Sequence, residues 1–372
     1  MTNEEKLDFI KANYKSSRCW ELLQGNEKLE FYEEWVKTLL SIIPTHLYKY
    51  RACNEDNLRM LRNKTAWFSC PSTWNDQIDV TVSYDLDKDV DELEKNFDKY
   101  VYKFAFAFIN QYIESFCDQK KFVTKEQVRD VYYKAFKGDE SINFDRIVNY
   151  LEPVVGWKPA RQIAAKTQEA FMMVEKPKFK NKILNGFKQF LGFNDIRNRM
   201  YMYSLSETYE NNHQWAIYAD GGKGFCIGYE IIPKNKEETG MIPNLLPIYY
   251  GKKEDLLISK MLDEILEYIA RKEEISDLIN QETEVLYVAL HTKAPEWVGE
   301  QEWRFTIPIE QAKENAIPFN FAKTLYLGEN IEDEWKNRLI EIAKVQNLKV
   351  YQRQLDKTKS RWIYKEIVLK EN

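Results

Sequence analysis

The sequence predicts an α+β protein whose mixed or mainly antiparallel sheet is interrupted by a large helical insertion. Three observations predict it. Short runs rich in β-formers occur at 47–51 and 65–70, then resume only at 200–205. Between them, from about 87 to 195, apolar residues recur at helical spacing, with Leu93, Phe97, Tyr100, Val101, Phe104 and Phe108 on one stripe. Late in the chain, Trp303, Phe305 and Ile307 occupy alternate positions, the period of a half-buried strand. The implied parts are N-terminal helices in 1–45, a first part of the core in 46–86, a helical insertion with a basic C-terminal half in 87–198, and the remainder of the core in 199–372.

The elements follow in order. Residues 3–14 and 27–43 read as helices; in the second, Leu29, Phe31, Trp35, Leu39 and Leu40 recur at helical spacing, and Pro44 stops it. Leu47–Arg51 reads as a strand. Asn54 is placed to cap a helix that runs to Asn63 with Leu58 and Leu61 inward. Thr65–Cys70 reads as a strand, and the Pro-Ser-Thr-Trp-Asn-Asp stretch from Pro71 to Asp76 has loop chemistry. Helices are expected at 124–137, 143–151, 159–174, 178–191, 211–219, 254–280 and 332–345. Strands are expected at 200–205, 225–231, 246–250, 284–291, 302–307, 323–327, 348–352 and 362–368.

Composition narrows the class. With 372 residues the chain can bury a large core or divide into two or three domains. Only 13 Gly and 11 Pro argue against long flexible linkers. The start of the chain lacks a secretory pattern, and its longest apolar stretch, around Phe104–Ile113, is broken by Asn110 and Gln111, so no membrane span is expected. The five cysteines are scattered without C-x-x-C spacing, and His46, His213 and His291 lack ligand spacing. A reduced cytoplasmic protein with no bound metal is therefore expected.

Charge is unevenly spread. Between Trp157 and Arg199 ten Lys and Arg face three Asp and Glu, in a chain of net charge −5. Lys176, Lys178, Lys180, Lys182, Arg197 and Arg199 are interleaved with phenylalanines such as Phe179 and Phe187. Cations for phosphates and rings for bases suit a nucleic-acid target, whereas a solvated basic helix face over an apolar stripe explains the same pattern. Gly221-Gly222-Lys223-Gly224 precedes a strand rather than a helix, which reads as a turn and not as a phosphate loop.

Chemistry-bearing residues cluster at strand ends. Glu300 and Glu302 lie two positions apart beside the expected strand; in strand geometry they would share one face, and like charges so close need a partner cation or a task. Upstream lie Lys49-Tyr50-Arg51, Ser69 with Asn75-Asp76 and Asp79, Ser204-Leu205-Ser206-Glu207, and His213 to Tyr218.

Those blocks carry a resemblance. Leu47-Tyr48-Lys49-Tyr50-Arg51, then Trp67-Phe68-Ser69-Cys70-Pro71 running to Trp74-Asn75-Asp76-Gln77-Ile78-Asp79, open it. Tyr203-Ser204-Leu205-Ser206-Glu207, Trp215-Ala216-Ile217-Tyr218-Ala219 with Gly224-Phe225-Cys226-Ile227-Gly228, and Glu300-Gln301-Glu302-Trp303-Arg304 complete it. In that order the chain resembles the bacterial domain-of-unknown-function family 2971 over roughly 47–330. Gln77 stands where a proline is usual, and Tyr203 and Leu205 stand where a Cys-Phe-Ser run is common.

A second resemblance, in residue order, is to ADP-ribosyltransferases of the arginine, Ser-x-Ser, Glu-x-Glu type. It implies an ADP-ribosyltransferase-like sheet, NAD as substrate, and a macromolecular acceptor, nucleic acid or protein, in the setting of a toxin or anti-phage effector with an antitoxin or regulatory partner. By this resemblance Arg51 would hold the dinucleotide pyrophosphate, Ser204 and Ser206 would orient the nicotinamide ribose or the late carboxylate, and Tyr50 and Ser69 would complete the cofactor site. Trp215 or Tyr218 would stack on nicotinamide. Glu302 would bind the ribose 2'-hydroxyl and stabilise developing positive charge, and Glu300 would position or deprotonate the attacking group. Two other readings stay open from the residues alone. Asp76, Asp79, Glu300 and Glu302 with Lys49 would suit a metal-dependent nuclease, and the same clusters would suit a non-enzymatic binding surface in which Lys293 or Arg304 neutralises the glutamates.

Overall fold

The structure is a computed structural model that describes residues 1–74, 76–83, 85–95, 143–174, 196–254, 281–312 and 314–369, with 124, 127, 128, 131, 134 and 260. The chain divides into two compact units. One comprises residues 1–82, 194–254 and 287–372, and the other 83–193 and 255–286. The second unit therefore takes in a segment, 255–286, that the sequence assigned to the core. The helices expected at 124–137, 178–191 and 254–280 lie largely or wholly outside the described residues.

The first unit holds an eight-stranded sheet in a mixed, mainly antiparallel α+β arrangement. Its strands, numbered along the chain with the short accessory strands, are β1 (His46–Arg51), β2 (Thr65–Trp67), β3 (Met200–Ser206), β4 (Phe225–Glu230), β5 (Leu245–Pro247), β6 (Tyr249–Tyr250), β7 (Thr292–Lys293), β8 (Glu302–Pro308), β9 (Ala316–Pro318), β10 (Ala322–Leu327), β11 (Lys349–Asp356) and β12 (Arg361–Glu366). The main sheet runs β12-β11-β10-β4-β1-β3-β8-β5. Only β10 and β11 pair in parallel within it, joined by the helix Asp333–Gln346, because a parallel pair needs a crossover. Alternation along β1, β3 and β8 sends Leu47, Tyr203, Leu205, Trp303 and Phe305 into one large core with Phe68, Phe225 and Phe319.

Two N-terminal helices cover part of this core. Asn3–Leu22 opens with a complete capping box, Thr2 with Glu5, which satisfies two otherwise orphaned N–H groups. Gly25–Ile42 buries Trp35, Val36 and Leu39. Trp35 Nε1 donates to Asn13 Oδ1 at 3.0 Å, which ties the two helices together.

One expected strand is a helix. Residues 284–291 fall in the helix Gln281–Leu290, which ends as His291 N–H bonds Val288 O at 2.9 Å. Its run Val285 to Leu290 is apolar almost throughout, so periodicity does not separate strand from helix there.

Within the second unit, the helices Phe144–Val155 and Trp157–Val174 pack on each other through Ile147, Val148, Leu151, Ala160, Ile163 and Ala164. Gly156 between them has φ +83°, a backbone conformation that a Cβ would strain. Among the described residues, no helix is long and apolar enough to cross a membrane.

Candidate functional site

The site lies where the sheet opens. β1 and β3 pair at a single position, Tyr48 opposite Ser206, and the ladder goes no further. In place of a main-chain donor, Lys49 Nζ donates to Ser204 O at 2.7 Å. Beyond that point β3 pairs instead with Ser69, whose backbone exchanges two hydrogen bonds of 2.9 Å with Met202. A cleft of about 360 Å³ occupies this region. Lys49, Arg51, Ser69, Ser204, Ser206, Tyr218, Glu300 and Glu302 line it, with Trp67, Trp74 and Trp297 among its aromatic walls.

Glu300 is not on the strand. It ends a 3₁₀ segment, Pro295–Glu300, and Gln301 turns the chain in the left-handed region (φ +48°, ψ 52°) before β8 begins at Glu302. The two carboxylates converge all the same, because Lys293 on β7 lies between them. Its Nζ is 2.6 Å from Glu300 Oε2 and 3.1 Å from Glu302 Oε2. The parallel pairing of β7 with β6 fixes Lys293 there, and Tyr250 of β6 accepts the Glu302 backbone N–H at 2.7 Å.

A buried ionic knot extends from this point. Arg304, fully buried, donates from Nε to Glu302 Oε1 at 2.9 Å and grips Asp79 through both terminal nitrogens, at 3.3 and 3.0 Å. Its guanidinium lies 4.8 Å from the centre of the Trp74 ring, whose Nε1 donates to Ser69 Oγ at 2.8 Å. Burial alone would raise the Glu302 carboxyl, but Arg304, then Lys293 and a side-chain hydrogen bond from Ser204 outweigh it and hold the group well below the usual carboxylate range. Lys293 moves the other way: burial opposes its charge, but Glu302, Glu300 and Asp79 hold it above the usual lysine range. Asp79, Glu300 and Glu302 against Lys293 and Arg304 leave one surplus negative charge in the knot.

The helix Asn212–Tyr218 forms another wall. Asn211 caps it by accepting from the N–H groups of His213 and Gln214. Gln214 and Tyr218, four apart and hence on one face, both reach Glu300: Gln214 Nε2 donates to its carbonyl at 3.3 Å, and Tyr218 Oη donates to Oε1 at 2.8 Å. Ser206 Oγ donates to the same carbonyl at 2.7 Å. Burial, then Glu300, raises the Tyr218 phenol, so it stays a donor.

The expected residues divide as follows. Arg51, Tyr50, Ser69, Ser204, Ser206, Tyr218, Glu300 and Glu302 line one cleft, although Tyr50 uses its hydroxyl to donate to Thr208 O. Trp215 does not line it. Only 1% exposed, Trp215 packs edge-on against Tyr50 at 5.3 Å and donates to Tyr209 O, because the helix turns that position toward the sheet. Asp79 pairs with Arg304, and Asp76 accepts the N–H of Ile78 in its own loop.

Of the basic set, Lys176, Lys178, Lys180 and Lys182 lie outside the described residues. Arg197 is not turned outward as a phosphate contact; its guanidinium donates to the carbonyls of Pro71, Asp76 and Gln77 and clamps that loop. Arg199 is exposed just before β3. The nuclease alternative needs converging free carboxylates. Here Asp79, Glu300 and Glu302 are taken up by Lys293 and Arg304, and among the described residues no group of three or more His, Cys, Asp or Glu is arranged to hold a metal. Sequence reasoning held Gln214 and Trp74 only inside longer blocks, without a contact of their own, and gave Lys49 a part only in the nuclease reading. The first had a signal, its i,i+4 relation to Tyr218 behind an Asn cap.

A model for the family described as "Protein of unknown function (DUF2971)" matches residues 214–305. The match runs from Gln214 to Phe305, so it takes in Tyr218, Lys293, Glu300, Glu302 and Arg304. The resemblance read from the motifs holds over that span, and the description attaches no activity to it. No curated protein and no solved structure matches the chain.

Proposed function

We propose that the cleft binds NAD and that the protein transfers ADP-ribose from it to a macromolecular acceptor, nucleic acid or protein. One observation carries this reading: Arg51 on β1, Ser204 on β3 and Glu302 on β8 come from three successive strands of the sheet to line a single cleft, where Ser204 is among the groups that favour the charged form of Glu302. The residues suit the chemistry. Arg51 offers a planar fork of donors to a pyrophosphate and stands 5.5 Å from the centre of the Tyr203 ring, which orients it. Glu302 stays ionised at neutral pH, as stabilisation of an oxocarbenium-like ribose requires. Tyr218 and the exposed Trp67 offer flat surfaces to a nicotinamide or adenine ring. We place the reaction in the cytoplasm, in keeping with the free thiols of Cys19, Cys53, Cys70 and Cys226.

The test is to incubate the protein with labelled NAD and cell extract, then follow nicotinamide release and the fate of the label. Glu302→Gln is expected to lose roughly 100-fold or more of the rate. Equal labelling by wild type and this variant would sink the mechanism.

A further inference from the structure

We propose that Lys49, rather than Glu300, is the base that takes the proton from the attacking group; this rests on the transfer reading above. Glu300 is badly placed for that task. Its Oε2 already receives Lys293 at 2.6 Å and its Oε1 receives Tyr218 at 2.8 Å, and the residue is buried. A proton accepted there would displace one of two short hydrogen bonds.

Lys49 has the opposite situation. It lines the cleft, and among the described residues its side chain has one hydrogen bond, the 2.7 Å donation to Ser204 O, and no carboxylate within ion-pair distance. That single bond orients the amine and leaves the nitrogen lone pair of its neutral form available. The position is built into the fold, because Lys49 fills the gap where the β1–β3 ladder stops. The groups around it are Arg51 on its own strand, Tyr203 and Ser204 on β3, Cys226 on β4, Lys293 on β7, Glu300 and Glu302. Burial first and Arg51 second push the ammonium down to about 7, against the pull of Glu302 and Glu300. A base poised near the working pH is the efficient one.

The step balances. The bond from ribose C1' to the nicotinamide nitrogen breaks with its electron pair going to nitrogen, and neutral nicotinamide leaves. A lone pair of the acceptor oxygen or nitrogen forms the new bond to C1'. The proton released from the acceptor passes to Lys49 Nζ, which becomes an ammonium and later returns the proton to water.

The test has two arms. In the first, kcat and KM for nicotinamide release are followed against pH for wild type, Lys49→Met and Lys49→Arg. Wild-type kcat should rise about tenfold per pH unit below about pH 7 and then level, while both variants lose roughly 100-fold of kcat and the rise itself, with KM for NAD little changed. In the second arm, native wild type is acylated with a limiting amine reagent across pH, and the modification of each lysine is read by mass spectrometry. Lys49 should react with a midpoint near neutrality, well below the surface lysines, and this arm needs no variant to fold. Variants that keep the wild-type pH profile would overturn the assignment, as would a Lys49 that titrates with the surface lysines. Absence of nicotinamide release from wild type would remove the transfer reading and this proposal together; release with a Lys49-independent profile removes only this one.

Discussion

Arg304 has no exposed surface, yet every nitrogen of its guanidinium has an acceptor in Glu302, Asp79 or Leu290 O. Burying such a pair is expensive, but removing one partner costs more, because the other charge is left in a dry site. Arg304→Met is therefore expected to lower unfolding free energy by about 3–5 kcal/mol, measured by urea denaturation. Asp79→Asn in the same chain should recover part of that loss, since it removes a carboxylate charge that Arg304→Met leaves without its guanidinium. His291, 1% exposed, gives a pH signature. Burial pushes its imidazole down to about 4 in the folded state, from an ordinary value of 6.5. The unfolded chain binds the extra proton first, so stability present above about pH 6.5 is lost as pH falls toward about 4. The size is roughly 3 kcal/mol for a shift of this extent. Urea midpoints measured between pH 7 and pH 4 should fall in wild type and fall less in His291→Gln; equal slopes would contradict this account.

At the scale of elements, the cleft depends on local turns as much as on strands. Gln301 holds φ +48°, which costs an L-residue roughly 1 kcal/mol and a β-branched one more. Gln301→Val should thus destabilise by at least about 1 kcal/mol, while Gln301→Gly should leave stability equal or higher. Asn211→Ala removes the cap of the helix that carries Gln214 and Tyr218 and should cost about 1 kcal/mol. These same turns mark where reading the sequence stops. Strand β8 was evident from the alternation of Trp303, Phe305 and Ile307. The turn that sets Glu300 apart from it is not legible, because a one-residue left-handed turn leaves no mark when its residue is Gln rather than Gly. The helix Gln281–Leu290 was hidden by a continuous apolar run, whereas β1, β3 and the helices around Trp35 and Leu58 carried clear periods and caps.

For the whole molecule, the sheet order explains why separated motifs make one site. Arg51, Ser204 and Glu302 are about 150 and 100 residues apart, yet their strands are successive in the order β1-β3-β8. Nothing local encodes that order, so the sequence suggested partners for Glu302 only through the order of its motifs. The ion knot was half visible. Lys293 and Arg304 lie close to the glutamates along the chain, but Asp79 reaches Arg304 across 225 positions, a pairing that depends on the 71–81 loop being clamped by Arg197 and Lys253. The proposal that the opening between β1 and β3 is a dinucleotide site is best checked by calorimetric titration of NAD into wild type and into Arg51→Ala. Saturable one-to-one binding to wild type is expected, with a roughly tenfold or greater loss of affinity in the variant, because a charge-assisted contact to the pyrophosphate is removed. No binding to wild type, or equal binding to both proteins, would rule the dinucleotide site out.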